Sequence, residues 1–143
     1  MEIKTALVVD DEEMIRVLLE KILARIGYRV ILAEDGREVV KIYARRQDKI
    51  HLAVIDLLLP GLSGEETAEY IRTCGEDVAI LLTGGRRPSP TKMSSGPADG
   101  FLAKPFRLQA LIDAVEKVEK RRLEIVGRGE NQITPAAVFS VIS

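Results

Sequence analysis

Five short runs of β-branched and aliphatic residues recur along the chain: "TALVVD" (5–10), "YRVILA" (28–33), "HLAVIDLLL" (51–59), "VAILLT" (78–83) and "GFLA" (100–103). Most are apolar on successive residues and not on alternate ones, as expected of strands covered on both faces. Between them the period changes. From Asp11 onward, Met14, Ile15, Leu18, Leu19, Ile22 and Ile26 repeat at helical spacing, and Gly27 follows where a helix C-terminus favours glycine. Asp35 is placed to cap "GREVVKIYARRQ" (36–47), and Ser63 and Glu66 have capping-box spacing ahead of a helix to about Cys74. "FRLQALIDAVEKVEKRRLEIV" (106–126) is a strongly amphipathic last helix.

Alternating strands and helices predict an α/β fold with a five-stranded parallel, doubly wound sheet, because right-handed crossovers place helices on both faces. The natural strand order is 2-1-3-4-5, and ligands bind where the winding reverses, at the carboxyl ends of strands one and three. One connection departs from the pattern. "GGRRPSPTKMSSGPADG" (84–100) carries Pro88, Pro90 and Pro97 with glycines at both ends, so the fourth helix is expected to be short, displaced or absent.

The 143 residues suit one domain, and 21 Lys and Arg against 22 Asp and Glu leave no basic footprint for general nucleic-acid binding. Cys74 is the single cysteine, so no disulfide within the chain is expected and a reducing compartment is the simpler assumption. No stretch approaches the roughly 20 apolar residues of a membrane span, and the apolar run ending at Asp10 is too short for a signal-peptide core. These features predict a soluble, cytoplasmic protein.

The predicted topology collects polar groups at one edge of the sheet. Asp10 and Asp11 end strand one, Asp56 interrupts the apolar third strand, Thr83 ends strand four and Lys104 follows strand five. Acids in the first turn of a helix are an ordinary complement to its dipole, so "DDEE" alone reads either as a helix start or as a cation site. Asp56 lies between "HLAVI" and "LLLP", where an unpaired charge is costly. Three carboxylates held together repel unless a cation joins them, which points to a hard divalent ion such as Mg²⁺. Lys104 and Thr83 then supply a positive charge and a hydroxyl for the oxygens of a phosphoryl group. His51, the only histidine, opens strand three at the opposite edge and reads as structural.

In order and spacing, "VVDDEE", "VIDLLLPGLSG", "LLTG" and "FLAKPF" resemble the motifs of bacterial response-regulator receiver domains, from about Lys4 to Val126. The resemblance implies a flavodoxin-like receiver fold and a phosphorylation-dependent signalling module of a two-component system. Asp56 would be the phosphoacceptor. Asp11 and Asp56 would be direct Mg²⁺ ligands, with Asp10 acting through water and the Leu58 carbonyl as a further ligand. Thr83 and Lys104 would bind the phosphoryl oxygens, Thr83 and Phe101 would form the switch, and the Lys104–Pro105 bond would be cis. The implied partners are a sensor histidine kinase or phosphotransfer protein and a downstream protein target, without direct DNA binding or membrane contact. A dimer formed on phosphorylation is among the expected forms. The organisation expected is a receiver domain at 1–126 and a tail at 127–143, with no effector domain.

Two other functional classes share parts of this pattern. An interaction domain that never takes phosphate would lack one of the acids or the lysine, and none is missing. A small Mg²⁺-dependent phosphatase would need a further acid near the nucleophile, where Leu58 and Leu59 stand. The chain is therefore expected to be no enzyme beyond its own phosphorylation and dephosphorylation at Asp56.

Overall fold

The computed structural model describes residues 3–45, 49–74 and 77–132, the last five of these by backbone alone. The strands are β1 (Lys4–Val9), β2 (Tyr28–Ala33), β3 (Leu52–Asp56), β4 (Ala79–Gly84) and β5 (Gly100–Ala103). The helices are α1 (Glu13–Arg25), α2 (Gly36–Arg45), α3 (Gly64–Thr73), α4 (Pro90–Ser95) and α5 (Leu108–Gln132). All strand pairs are parallel, in the order β2-β1-β3-β4-β5 that the alternation predicts.

The successive apolar residues are divided between two cores. Ala6 and Val8 of β1, Leu52 and Val54 of β3, and Ala79 and Leu81 of β4 pack with α1 and α5. Their neighbours Leu7, Val9, Ala53, Ile55, Ile80 and Leu82 pack on the other face with α2 and α3. Because successive side chains of a strand point to opposite faces, a sheet covered on both sides needs apolar residues at every position.

Local chemistry sets most boundaries. Gly27 takes a φ of +102°, a conformation that costs glycine little, and turns the chain from α1 into β2. Asp35 Oδ1 accepts the Glu38 N–H at 3.0 Å at the start of α2, and Ser63 with Glu66 forms the complete capping box of α3. His51 is tied into the lower edge of the sheet: its N–H donates to the Thr5 carbonyl and its Nδ1 accepts the Thr5 N–H at 3.0 Å.

The structure also departs from the sequence reading. α1 begins at Glu13 and not at Asp11, because Asp10 Oδ1 takes the Glu12 N–H at 2.9 Å and holds residues 10–12 as a link. Of its periodic residues, Leu19 and Ile22 enter the core with Leu23, while Met14 and Leu18 stay exposed. β3 ends at Asp56, so the "LLL" after it belongs to the loop. The fourth helix is short, as its prolines predict: six residues, with Ser89 as N-cap, Pro90 in the first turn and no buried side chain. α5 runs six residues past the expected end at Val126, carried through Gly127 and Gly129 by good helix formers such as Arg128, Glu130 and Gln132. The end of the expected second helix at Gln47 and tail residues 133–143 lie outside the described residues.

Gly64 sets how closely α3 approaches β3. Its N–H donates to the Leu57 carbonyl at 3.0 Å, and a Cβ there would overlap the Asp56 carbonyl oxygen and the Leu57 Cα. Gly64→Ala is expected to destabilise the fold by roughly 1–3 kcal/mol, the usual cost of overpacking. An unchanged melting temperature would show that the backbone yields freely there.

Candidate functional site

The order β2-β1-β3 places the carboxyl ends of β1 and β3 side by side, and four strands deliver polar groups to that edge. Asp10 directly follows β1 and is 1% exposed; Asp56 is the last residue of β3 and is 6% exposed. Asp11 is exposed to solvent. One carboxylate oxygen from each of the three lies within 4.8 Å of the others. Lys104 Nζ donates to Asp10 Oδ2 at 2.8 Å and to Asp56 Oδ2 at 3.3 Å. Its own backbone N–H donates to the Gly84 carbonyl at 2.8 Å, which fixes the lysine beside the end of β4. The Lys104–Pro105 peptide is cis.

Thr83 stands opposite Asp56 in the β3–β4 register, and its buried Oγ1 has no hydrogen-bond partner among the described residues. An unbonded buried hydroxyl beside a carboxylate is costly unless an incoming acceptor uses it. Phe101 is opposite Leu82 on β5 and packs, half-buried, against the core on the α2 and α3 side. Leu58 donates its N–H to Asp56 Oδ1 at 3.2 Å and leaves its side chain 80% exposed. A Cβ placed at Gly85 would touch nothing within 4 Å, so both side-chain positions beside the site are open.

The electrostatics follow from this geometry. Burial, with a smaller contribution from the charge of Asp10, raises the Asp56 carboxyl above its ordinary 3.8, although the Leu58 N–H and Lys104 pull the other way. Burial also opposes the charge on Lys104, but its hydrogen bond to Asp10 and the charges of Asp10 and Asp56 outweigh it and hold the ammonium above its ordinary value. Among the described residues Asp10 and Asp56 therefore share the Lys104 ammonium while Asp11 has no ion pair, and Asp56 is disfavoured as an anion. Exclusively oxygen donors and surplus negative charge suit Mg²⁺.

Every acid, hydroxyl and lysine expected at the site is brought to this edge; Phe101 packs beside it on β5. Two residues were missed. Arg16, at the end of the first turn of α1, donates from Nη1 to the Asp10 carbonyl at 2.7 Å, and Gly64 permits the approach to Asp56 described above. The second glycine of "PGLSG" was a signal for the latter; Arg16 had none beyond its place on the helix.

The family model described as "Response regulator receiver domain" matches residues 6–116. The response regulator MprA of Mycolicibacterium vanbaalenii is 34% identical over 139 residues, covering 96% of this chain and 58% of its own. The response regulator RR06 of Streptococcus pneumoniae is 37% identical over 117 residues, covering 80% of this chain and 52% of its own. The chain thus spans about half the length of the curated relatives it matches. Among solved structures, the response regulator TrrA of Thermotoga maritima, in complex with Mg(2+)-BeF, has a TM-score of 0.69 at 36% identity, covering 80% of this chain and 98% of its own. The chemotaxis protein CheY4 of Vibrio cholerae has a TM-score of 0.71 at 28% identity, covering 82% and 99%. Matched by family, sequence and fold, the chain belongs to the response regulator receiver domains, the phosphorylation-dependent signalling modules of bacterial two-component systems.

Proposed function

We propose that Asp56 is the residue of this receiver domain that accepts the phosphoryl group, from a phosphohistidine of a kinase or phosphotransfer protein or from a small donor such as acetyl phosphate. The observation that supports it best is the meeting of the Asp56 carboxylate with Lys104 and two further acids at the sheet edge. A carboxylate oxygen of Asp56 attacks phosphorus, the bond to the donor nitrogen or acyl oxygen breaks, and the donor leaves with the electron pair. Lys104 meets the charge on the transferred oxygens, and the Thr83 hydroxyl, unbonded among the described residues, donates to one of them. Mg²⁺, held by Asp10, Asp11, Asp56 and the Leu58 carbonyl, would supply the remaining positive charge. Incubation with acetyl phosphate and Mg²⁺ tests the reading: one hydroxylamine-sensitive phosphoryl group is expected, and none in excess chelator. Undiminished labelling in chelator would reject the metal, and no labelling from any donor would reject the acceptor.

The aspartyl phosphate is expected to be long-lived, because neither Leu58 nor Gly85 offers a side-chain hydrogen bond to orient an attacking water. A half-life shorter than that of a relative with polar residues at both positions, measured side by side, would count against this.

Output passes through protein contact. Movement of Thr83 toward the phosphoryl group would open space for Phe101 to turn inward, a shift between two packings that phosphate favours unequally. The 84–100 connection lies beside both residues, and α4 within it buries no side chain. Its amides, from Arg86 to Ser95, are expected to exchange rapidly in the free protein and to slow when Mg²⁺ and a phosphoryl mimic are added. Strong protection throughout that segment before activation would overturn this. Among the described residues no helix is long and apolar enough to cross a membrane. A cytoplasmic location is the accompanying proposal, since phosphotransfer there draws on kinases charged by ATP.

A further inference from the structure

Every polar group of Asp10 is engaged. Its N–H donates to the Ala33 carbonyl at 3.1 Å, Oδ1 accepts the Glu12 N–H at 2.9 Å, Oδ2 accepts Lys104 Nζ at 2.8 Å, and its carbonyl accepts Arg16 Nη1 at 2.7 Å. Arg16 Nη2 also faces Glu34 Oε1 at 3.6 Å, next to the end of β2. The planar guanidinium presents its donors in a fixed fork, so one side chain ties the β1–α1 link to both α1 and the β2 edge. The Arg16 side chain is 12% exposed, which shields its contact with the Asp10 carbonyl, whereas the Glu34 side chain is 65% exposed.

Asp11 stands in the opposite situation. It is exposed, and among the described residues its carboxylate has no hydrogen bond or ion pair. Its place beside Asp10 and Asp56 is set by the backbone of residues 10–12 alone. That backbone is not yet helical, since α1 starts at Glu13 and Glu12 makes no side-chain cap.

We infer that Arg16 is a positioning residue of the metal site, pinning the Asp10 carbonyl and thereby holding the backbone that aims Asp10 and Asp11 into the acidic cluster. The inference rests on the reading of that cluster as a Mg²⁺ site. Coulomb's law alone gives the opposite sign: the positive charge of Arg16 opposes a cation nearby, so removing it would tighten Mg²⁺ binding. If positioning dominates, removal weakens binding. The sign of the change therefore separates the two effects.

The experiment titrates Mg²⁺ alone by calorimetry into the wild-type chain, Arg16→Ala, Arg16→Lys and Ile22→Val, the last a control that trims a buried residue on the same helix. A parallel measurement follows exchange of the Glu12 amide without metal. Arg16→Ala is expected to raise the Mg²⁺ dissociation constant roughly tenfold, the usual cost of losing a group that orients metal ligands. Ile22→Val is expected to leave the constant unchanged, and Arg16→Lys, which keeps one donor for the Asp10 carbonyl, to fall between wild type and alanine. The Glu12 amide is expected to exchange faster in Arg16→Ala. Unchanged or tighter binding in Arg16→Ala, equal weakening in Ile22→Val, or a lysine variant no better than alanine would each overturn the inference. A wild-type chain that binds no Mg²⁺ would remove the reading of the cluster itself, whereas a normal wild type beside an unaffected Arg16→Ala removes only the role of Arg16.

Discussion

Incubated with acetyl phosphate and Mg²⁺, Asp56→Asn is expected to take up no hydroxylamine-sensitive phosphate, while the unaltered chain takes up one phosphoryl group. The amide keeps the size and one oxygen of the carboxylate but carries no charge, and its nitrogen lone pair is delocalised, so the nucleophile is lost outright. The same substitution is expected to stabilise the metal-free fold. Burial raises the Asp56 carboxyl above its ordinary 3.8, so the folded state disfavours the anion. The stability contributed by the protonated acid is full below that ordinary value and is lost as pH rises through the higher folded-state value. At neutral pH the ionised Asp56 is thus a net cost that asparagine removes, while Lys104 keeps Asp10 as its partner at 2.8 Å. A gain of about 1 kcal/mol would raise the melting temperature of a chain this size by a few degrees. The gain should shrink as pH falls below the carboxylate range. The two readouts support each other, because a variant that melts higher is folded, and its failure to label then reports the chemistry. Stoichiometric labelling of Asp56→Asn, or a lower melting temperature in chelator at pH 7, would contradict this account.

The fold was legible to the extent that it depends on period and punctuation. β2 and β5 have the bounds read from "YRVILA" and "GFLA", and the strand order follows from alternation and crossover handedness. Position at strand ends was also legible, which is why Asp10, Asp56, Thr83 and Lys104 meet as expected. What escaped depends on contacts that leave no local trace. Helical spacing marks Met14 and Leu18 as apolar but does not say what covers them, and both stay exposed. The reach of Arg16 back across the β1–α1 link to a carbonyl six residues earlier has no sequence signature. The second glycine of "PGLSG" marks Gly64 as a position without a side chain, but that its backbone approaches the end of β3 depends on how the helix seats against the sheet. The extension of α5 past Val126 went unread for a different reason: two glycines look like a stop, yet each costs a helix only about 1 kcal/mol.

Asp11→Ala is expected to weaken Mg²⁺ binding by at least one to two orders of magnitude, since loss even of residues that merely orient ligands costs about 10–100-fold. The cluster has few charged donors, and Asp11 is the one among them that is exposed and has no hydrogen bond or ion pair among the described residues. Its charge is therefore fully available to a cation, whereas Asp10 and Asp56 already share Lys104. For the same reason its removal should hardly disturb the fold, by no more than about 0.5 kcal/mol for an exposed side chain without contacts. Phosphorylation by acetyl phosphate should fall with the metal at a fixed, low Mg²⁺ concentration and recover partly as Mg²⁺ is raised, because Asp56 and Lys104 are intact. That recovery distinguishes Asp11→Ala from Asp56→Asn, which no amount of Mg²⁺ should rescue. Wild-type Mg²⁺ affinity in Asp11→Ala would remove Asp11 from the ligand set. Normal metal affinity without phosphorylation would instead give Asp11 a role in the transfer itself.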